Sequence, residues 1–102
     1  EINDRIRELA ARLPAHERDL RSQWVRAATS VCSNIAEAAQ ESRPSEKARI
    51  YRIARREIGE VNSCTADART AHCLTEDEYE ELTTLANRIS AMLYRLVQRF
   101  SS

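Results

Sequence analysis

The chain has 102 residues, with sixteen basic and sixteen acidic side chains. A length of this order encloses one core when its elements are regular, so a single domain over residues 1–102 is expected. The zero net charge excludes a strong global field toward nucleic acid or an anionic membrane. One glycine, two prolines and an apolar set dominated by Ala, Leu, Ile and Val exclude a turn-rich sheet protein and point to a few long helices.

Ile2, Ile6, Leu9 and Leu13 recur at steps of four, three and four, which predicts a first helix over about 1–12 that ends before Pro14. The sequence opens at Glu1 and not Met, which leaves open whether this helix extends further back. A second helix is expected over 15–41, with Leu20, Trp24, Ala27, Ala28, Val31, Ile35 and Ala38 on one stripe. Val25, Cys32, Ala36 and Ala39 widen that stripe toward half the circumference. Small residues along it, Ser30 and Ser33 among them, allow close approach of a helix from the same bundle or from another subunit.

Glu41-Ser42-Arg43-Pro44-Ser45 breaks the period, and either Ser42 or Ser45 is a candidate cap for a third helix over 45–73. Ile50, Ala54, Ile58, Val61, Thr65 and Ala68 face inward there, and Gly59 marks a close crossing or a tolerated substitution. Thr75 and Glu78 form a capping box at the head of a fourth helix over 76–100, whose acidic first turns suit the helix dipole. Its apolar face is Leu82, Leu85, Ile89, Met92, Leu93, Leu96 and Phe100. Short connections make neighbours antiparallel, so the expected fold is an all-α, up-down four-helix bundle.

Neither His16 nor His72 has a spacing that orients a nucleophile or completes a metal motif, so no catalytic residue, no cofactor and no small-molecule substrate are expected. Cys64 and His72 lie about 12 Å apart by helical rise, too far to share one metal without further ligands. Cys32, Cys64 and Cys73 are odd in number and sit in helical patterns, which suits a reducing cytoplasm; no apolar run approaches a membrane span.

The charge pattern is locally uneven. Arg43, Lys47, Arg49, Arg52, Arg55 and Arg56 stand against the single acid Glu46, and Arg49, Arg52 and Arg56 share the side opposite Ile50, Ala54 and Ile58. Positive charge in the first half of a helix opposes its dipole, so stability alone does not place it there. The stripe is read as a phosphate-contacting face, or as a solvated surface satisfied by the acidic start of the fourth helix in the same or another subunit. No groove-reading motif is recognisable around these arginines, so base-specific readout is not indicated.

The stretch Gln23-Trp24-Val25-Arg26-Ala27-Ala28-Thr29-Ser30-Val31-Cys32-Ser33-Asn34-Ile35-Ala36-Glu37, with Ile53-Ala54-Arg55 after the hinge, resembles the four-helix bundle proteins encoded in intervening sequences of bacterial 23S ribosomal RNA genes. That family is similar to the accessory variability proteins of diversity-generating retroelements, which are also four-helix bundles. The resemblance implies a cytoplasmic, non-enzymatic homo-oligomer, a pentamer by analogy, whose partners are a reverse transcriptase and RNA. Arg26, Ser30, Asn34, Glu37, Arg55 and Glu60 match polar positions of the family pattern. They suit either a ligand site or a polar network between the second and third helices, with Asn34 bonding a neighbouring helix and Glu37 pairing with Arg55. The sequence departs from the pattern at Val25, Ala38, Gln40, Glu41, Arg56 and Glu57, and the lost arginines weaken the case for RNA. The alternative reading is a self-assembling or protein-docking bundle with no nucleic-acid role.

Overall fold

The computed structural model describes residues 1–101 and contains α1 (Ile2–Ala10), a 3₁₀ turn (Ala15–Glu17), α2 (Arg18–Gln40), α3 (Pro44–Thr70) and α4 (Glu76–Phe100), with no strand among the described residues. Each helix packs on its neighbours in chain order, and α1 closes the square against α4. The expected all-α four-helix bundle is therefore the architecture found. Helix ends differ from the sequence expectation by one to three residues, except in α4, whose two ends match it.

Each difference has a local cause. Before α2, Arg21 reaches back to the Leu13 carbonyl at 2.6 Å, and the chain turns through the 3₁₀ segment before the α-helical ladder begins. At the hinge neither Ser42 nor Ser45 caps α3. Arg43 is the extended N-cap residue, and Pro44 occupies the first helical position, where its missing N–H is no loss. The Glu41 carboxylate instead accepts the Arg43 backbone N–H at 2.9 Å and its guanidinium at 3.0 Å.

α3 stops at Thr70, three residues before Cys73. His72 lies in the left-handed region at φ 61°, and its N–H and that of Cys73 bond back to the Arg69 and Ala68 carbonyls at 2.9 Å each. This is the 6→1 and 5→2 pairing of a Schellman stop, with His where Gly is usual. Gly59, by contrast, carries no special geometry: a Cβ placed on it meets nothing within 4 Å, so it is a tolerated helix glycine and not a crossing point.

The core is a continuous apolar column in which Trp24, Ile6, Leu9, Ile50, Ile58, Leu82 and Leu93 are essentially fully buried. Each such side chain is worth about 1.5–3 kcal/mol relative to exposure. Trp24 gives its indole N–H to the Thr65 hydroxyl at 3.2 Å, and that hydroxyl donates to the Val61 carbonyl at 2.7 Å, so a polar pair is satisfied inside the core.

The nine residues of α1 cover only one half of a bundle whose other helices run 23 to 27 residues. α1 is tied level with Thr29 on α2 by Asn3 and Arg7, and with Glu81 on α4 by Arg5. Beyond that level Ile35, Ile89 and Leu96 are half-buried and Met92 is 37% exposed. The small-residue face of α2 divides the same way: Ala27, Ala28 and Ala38 are in the core, while Ser33, Ala36 and Ala39 face out.

A non-glycine residue in the left-handed region costs on the order of 1 kcal/mol. His72→Gly should accordingly raise the free energy of unfolding by about 1 kcal/mol in urea denaturation; no gain would mean that the His72 side chain compensates the strain.

Candidate nucleic-acid interface

The six cations expected to form one basic face divide into three groups. Arg43 and Arg49 are bound to nearby acids, Arg43 Nε at 3.0 Å from Glu41 and Arg49 Nη2 at 2.6 Å from Glu46. Those contacts hold both carboxyls down, Glu41 to about 2, through the side-chain hydrogen bond from Arg43 and then the backbone one.

Lys47 and Arg55 are used in packing. Lys47 Nζ donates to the carbonyls of Ala38 at 2.7 Å and Ala39 at 3.2 Å, placing a cation on the negative end of α2, and it lies 5.5 Å from the Phe100 ring centroid. Arg55 donates from Nε to the Ser90 carbonyl at 3.3 Å and lies over the Tyr94 ring, 5.0 Å from its centroid. Arg52 and Arg56 are exposed and make no salt bridge or side-chain hydrogen bond among the described residues.

The acidic start of α4 does not neutralise them within the molecule. Glu81 is taken by Arg5 at 2.9 Å, Glu78 by Arg12 at 2.7 Å and Glu76 by Arg69 at 2.8 Å. Of the sequence alternatives for the stripe, satisfaction by α4 of the same chain is thereby corrected.

Arg52, Arg55 and Arg56 come together along a groove between α3 and α4, completed by Ile58, Gly59, Asn62, Ser90, Tyr94, Val97 and Gln98. No Asp or Glu lines it, in a chain with sixteen of them. Tyr94, 49% exposed, is the residue that sequence reasoning missed. It lies 39 positions from Arg55, outside the apolar stripe of α4. Counting outward from the short α3–α4 connection, which sets Tyr94 level with Arg55, is the signal that would have found it.

The polar positions of the family pattern are only partly united. Arg26, Ser30 and Glu60 line a second groove between α2 and α3, together with Gln23, Ala27, Arg56 and Glu57. Asn34 does not reach a neighbouring helix; its amide donates to the Ser30 carbonyl at 2.8 Å and hydroxyl at 3.2 Å, both on its own helix. Glu37 is exposed and acts on Arg49 through its charge, while Arg55 turns to α4, so the expected Glu37–Arg55 pair is corrected. Arg56 borders both grooves.

Cys32, Cys64 and Cys73 are free thiols, with Cys64 buried and its pKa raised by burial and then by Glu60 and Asp67. No three His, Cys, Asp or Glu side chains are grouped to hold a metal, and no helix is long and apolar enough to cross a membrane, among the described residues.

An antiparallel helical bundle with a basic face on its third helix is the class of protein that this geometry defines. The 23S rRNA-intervening sequence protein model matches residues 1–95, and the chain belongs to that family. Its fold is also that of a crystal structure of a protein of unknown function from the S23 ribosomal protein family of Bacteroides thetaiotaomicron. The two are 22% identical, with a TM-score of 0.74 over 95% of this chain and 98% of that one. No curated protein matches.

The Arg12–Glu78 pair ties the stability of the bundle to acid pH. Glu78 falls from the usual 4.5 to about 2, first through the Arg12 side chain and then through the Thr75 backbone N–H. A carboxyl depressed on folding adds stability above its unfolded pKa and loses it as pH falls through the folded value. Acid titration should weaken the fold between about pH 4.5 and 2. In Glu78→Gln the decline over that window should be shallower, as read by circular dichroism; an identical profile would remove Glu78 from the account.

Proposed function

We infer that this chain is a non-enzymatic helical scaffold that assembles with copies of itself and holds RNA against the basic face of α3. The observation that carries the reading is that Arg52 and Arg56 stand exposed, without acidic partners, in a groove lined by no carboxylate. Phosphate oxygens are the complement of such a pair, and guanidinium groups bind them bidentately. A reverse transcriptase is the protein partner suggested by the likeness to retroelement accessory proteins, and three free cysteines fit a cytoplasmic setting.

Phosphate contacts release counterions, so affinity should fall steeply with salt. Replacing Arg52 and Arg56 together by Gln should lower the slope of log affinity against log salt by about 1.5 in filter binding with a structured RNA. Salt-independent binding by the unaltered chain, or an unchanged slope in the double variant, would sink the reading.

A second reading, assembly without RNA, draws on the opposite end of the bundle. There a groove between α1 and α4 carries Glu1, Asp4, Asp77 and Glu80 beside Arg5 and Arg88, and among the described residues no cation is bound to any of those four acids. Copies joined head to tail would set Arg52 and Arg56 on those acids, and a heterologous contact of this kind closes into a ring when its rotation allows. In that case Asp77→Arg with Glu80→Arg should reduce the sedimentation coefficient to that of a monomer, and adding Arg52→Glu and Arg56→Glu should restore it. Under the RNA reading the four-fold variant assembles like the unaltered chain and binds no RNA.

A further inference from the structure

We propose that the α3–α4 groove binds single-stranded nucleic acid, one unpaired base lying on the ring of Tyr94 while the flanking phosphates meet Arg52 and Arg56. This deepens the RNA reading above and rests on it. That reading needs only phosphate contacts; the geometry here adds a surface for a base.

Three observations converge. Tyr94 leaves 49% of its surface in solvent, on a helix whose other large apolar side chains, Met92 apart, are buried or half-buried. It makes no hydrogen bond that would explain a phenol at this position. Its ring is held in place from one side, because Arg55 covers it at 5.0 Å and is itself anchored to the Ser90 carbonyl. A fixed ring loses little entropy when a base stacks on it, and the guanidinium behind it adds a cation–π contribution.

The surroundings match the rest of a nucleotide. Ile58 and Val97 are buried beneath the groove as its apolar floor, and Gly59 leaves open space where a side chain would intrude. The exposed Gln98 contributes an amide, the side-chain type that hydrogen-bonds base edges. The absence of carboxylates removes the repulsion that phosphates would meet elsewhere on this neutral chain. A duplex keeps its base faces stacked internally, so only an unpaired base can use Tyr94.

The experiment measures fluorescence anisotropy of a labelled oligoadenylate and of a blunt-ended RNA duplex of equal phosphate number. The full chain is compared with Tyr94→Ala, Tyr94→Phe and the Arg52/Arg56 double Gln variant. Tyr94→Ala should weaken oligoadenylate binding roughly tenfold while leaving duplex binding and the salt slope unaltered, and Tyr94→Phe should bind as the unaltered chain does. Circular dichroism and sedimentation of Tyr94→Ala without RNA should match the unaltered chain; a change in sedimentation would make Tyr94 a subunit contact and overturn the proposal. If Tyr94→Ala is silent, or weakens both RNAs equally, while the arginine variant still flattens the salt slope, the stacking site falls and the phosphate reading stands. If the unaltered chain binds neither RNA, both fall together.

Discussion

The register between α2 and α3 hangs on one buried polar contact, the indole N–H of Trp24 on the hydroxyl of Thr65. Both residues are fully buried, so a slip along the helices would strand an N–H and a hydroxyl in apolar surroundings, at about 1–3 kcal/mol each. Hydrophobic contact alone sets no such register, because Ala, Val and Ile along a helix face offer nearly equivalent packing one turn away. With Trp24 and Thr65 fixed, Arg26 and Ser30 fall across from Arg56 and Glu60, and Lys47 reaches the last carbonyls of α2. The position of the basic face relative to the rest of the bundle follows from that alignment.

Charge is then sorted by helix pairing. The acids that open α4 favour its N-terminus through the dipole, and they are met by Arg5 of α1, Arg12 of the turn after it and Arg69 at the end of α3. These pairs are exposed and individually weak, yet they determine which charges remain unpaired. The arginines in the first half of α3 lie at the opposite end of the bundle, where the ion pairs formed are those to Glu41 and Glu46. Two ion pairs among six cations leave a surplus, and packing on Phe100 and Tyr94 absorbs Lys47 and Arg55. Arg52 and Arg56 are what remains.

Much of this was legible in the sequence because it depends on local period and local caps. The apolar stripes of the four helices, the Thr75–Glu78 box and the outward side of Arg49, Arg52 and Arg56 are all set within one or two turns of chain. The end of α3 was not legible, since a Schellman stop advertises itself by Gly and here the residue is His72. Neither serine caps α3, because Pro44 at its first position has no N–H to satisfy and the Glu41 carboxylate holds the Arg43 N–H just before it. Partners of polar side chains were the least legible of all. Asn34 has an equally good acceptor four residues back on its own helix, and Arg55 prefers an aromatic face on α4 to a carboxylate on α2. Such choices depend on rotation of one helix about its axis relative to two others, which a single amphipathic pattern does not encode.

The zero net charge looks at first like an argument against a polyanionic partner. It loses that force once the distances are considered. Along α4, Asp77 and Tyr94 are separated by about 26 Å of helical rise, and the molecule is 44 Å long. At physiological ionic strength the field of an exposed charge decays over about 8 Å. The acids beside α1 therefore do little to cancel the field in the α3–α4 groove, where no carboxylate intervenes. A strand lying in that groove meets a basic surface, whatever the sum over the whole chain. Net charge governs behaviour at long range and low salt; the sign of the nearest side chains governs contact, and here those side chains are arginines around an exposed tyrosine.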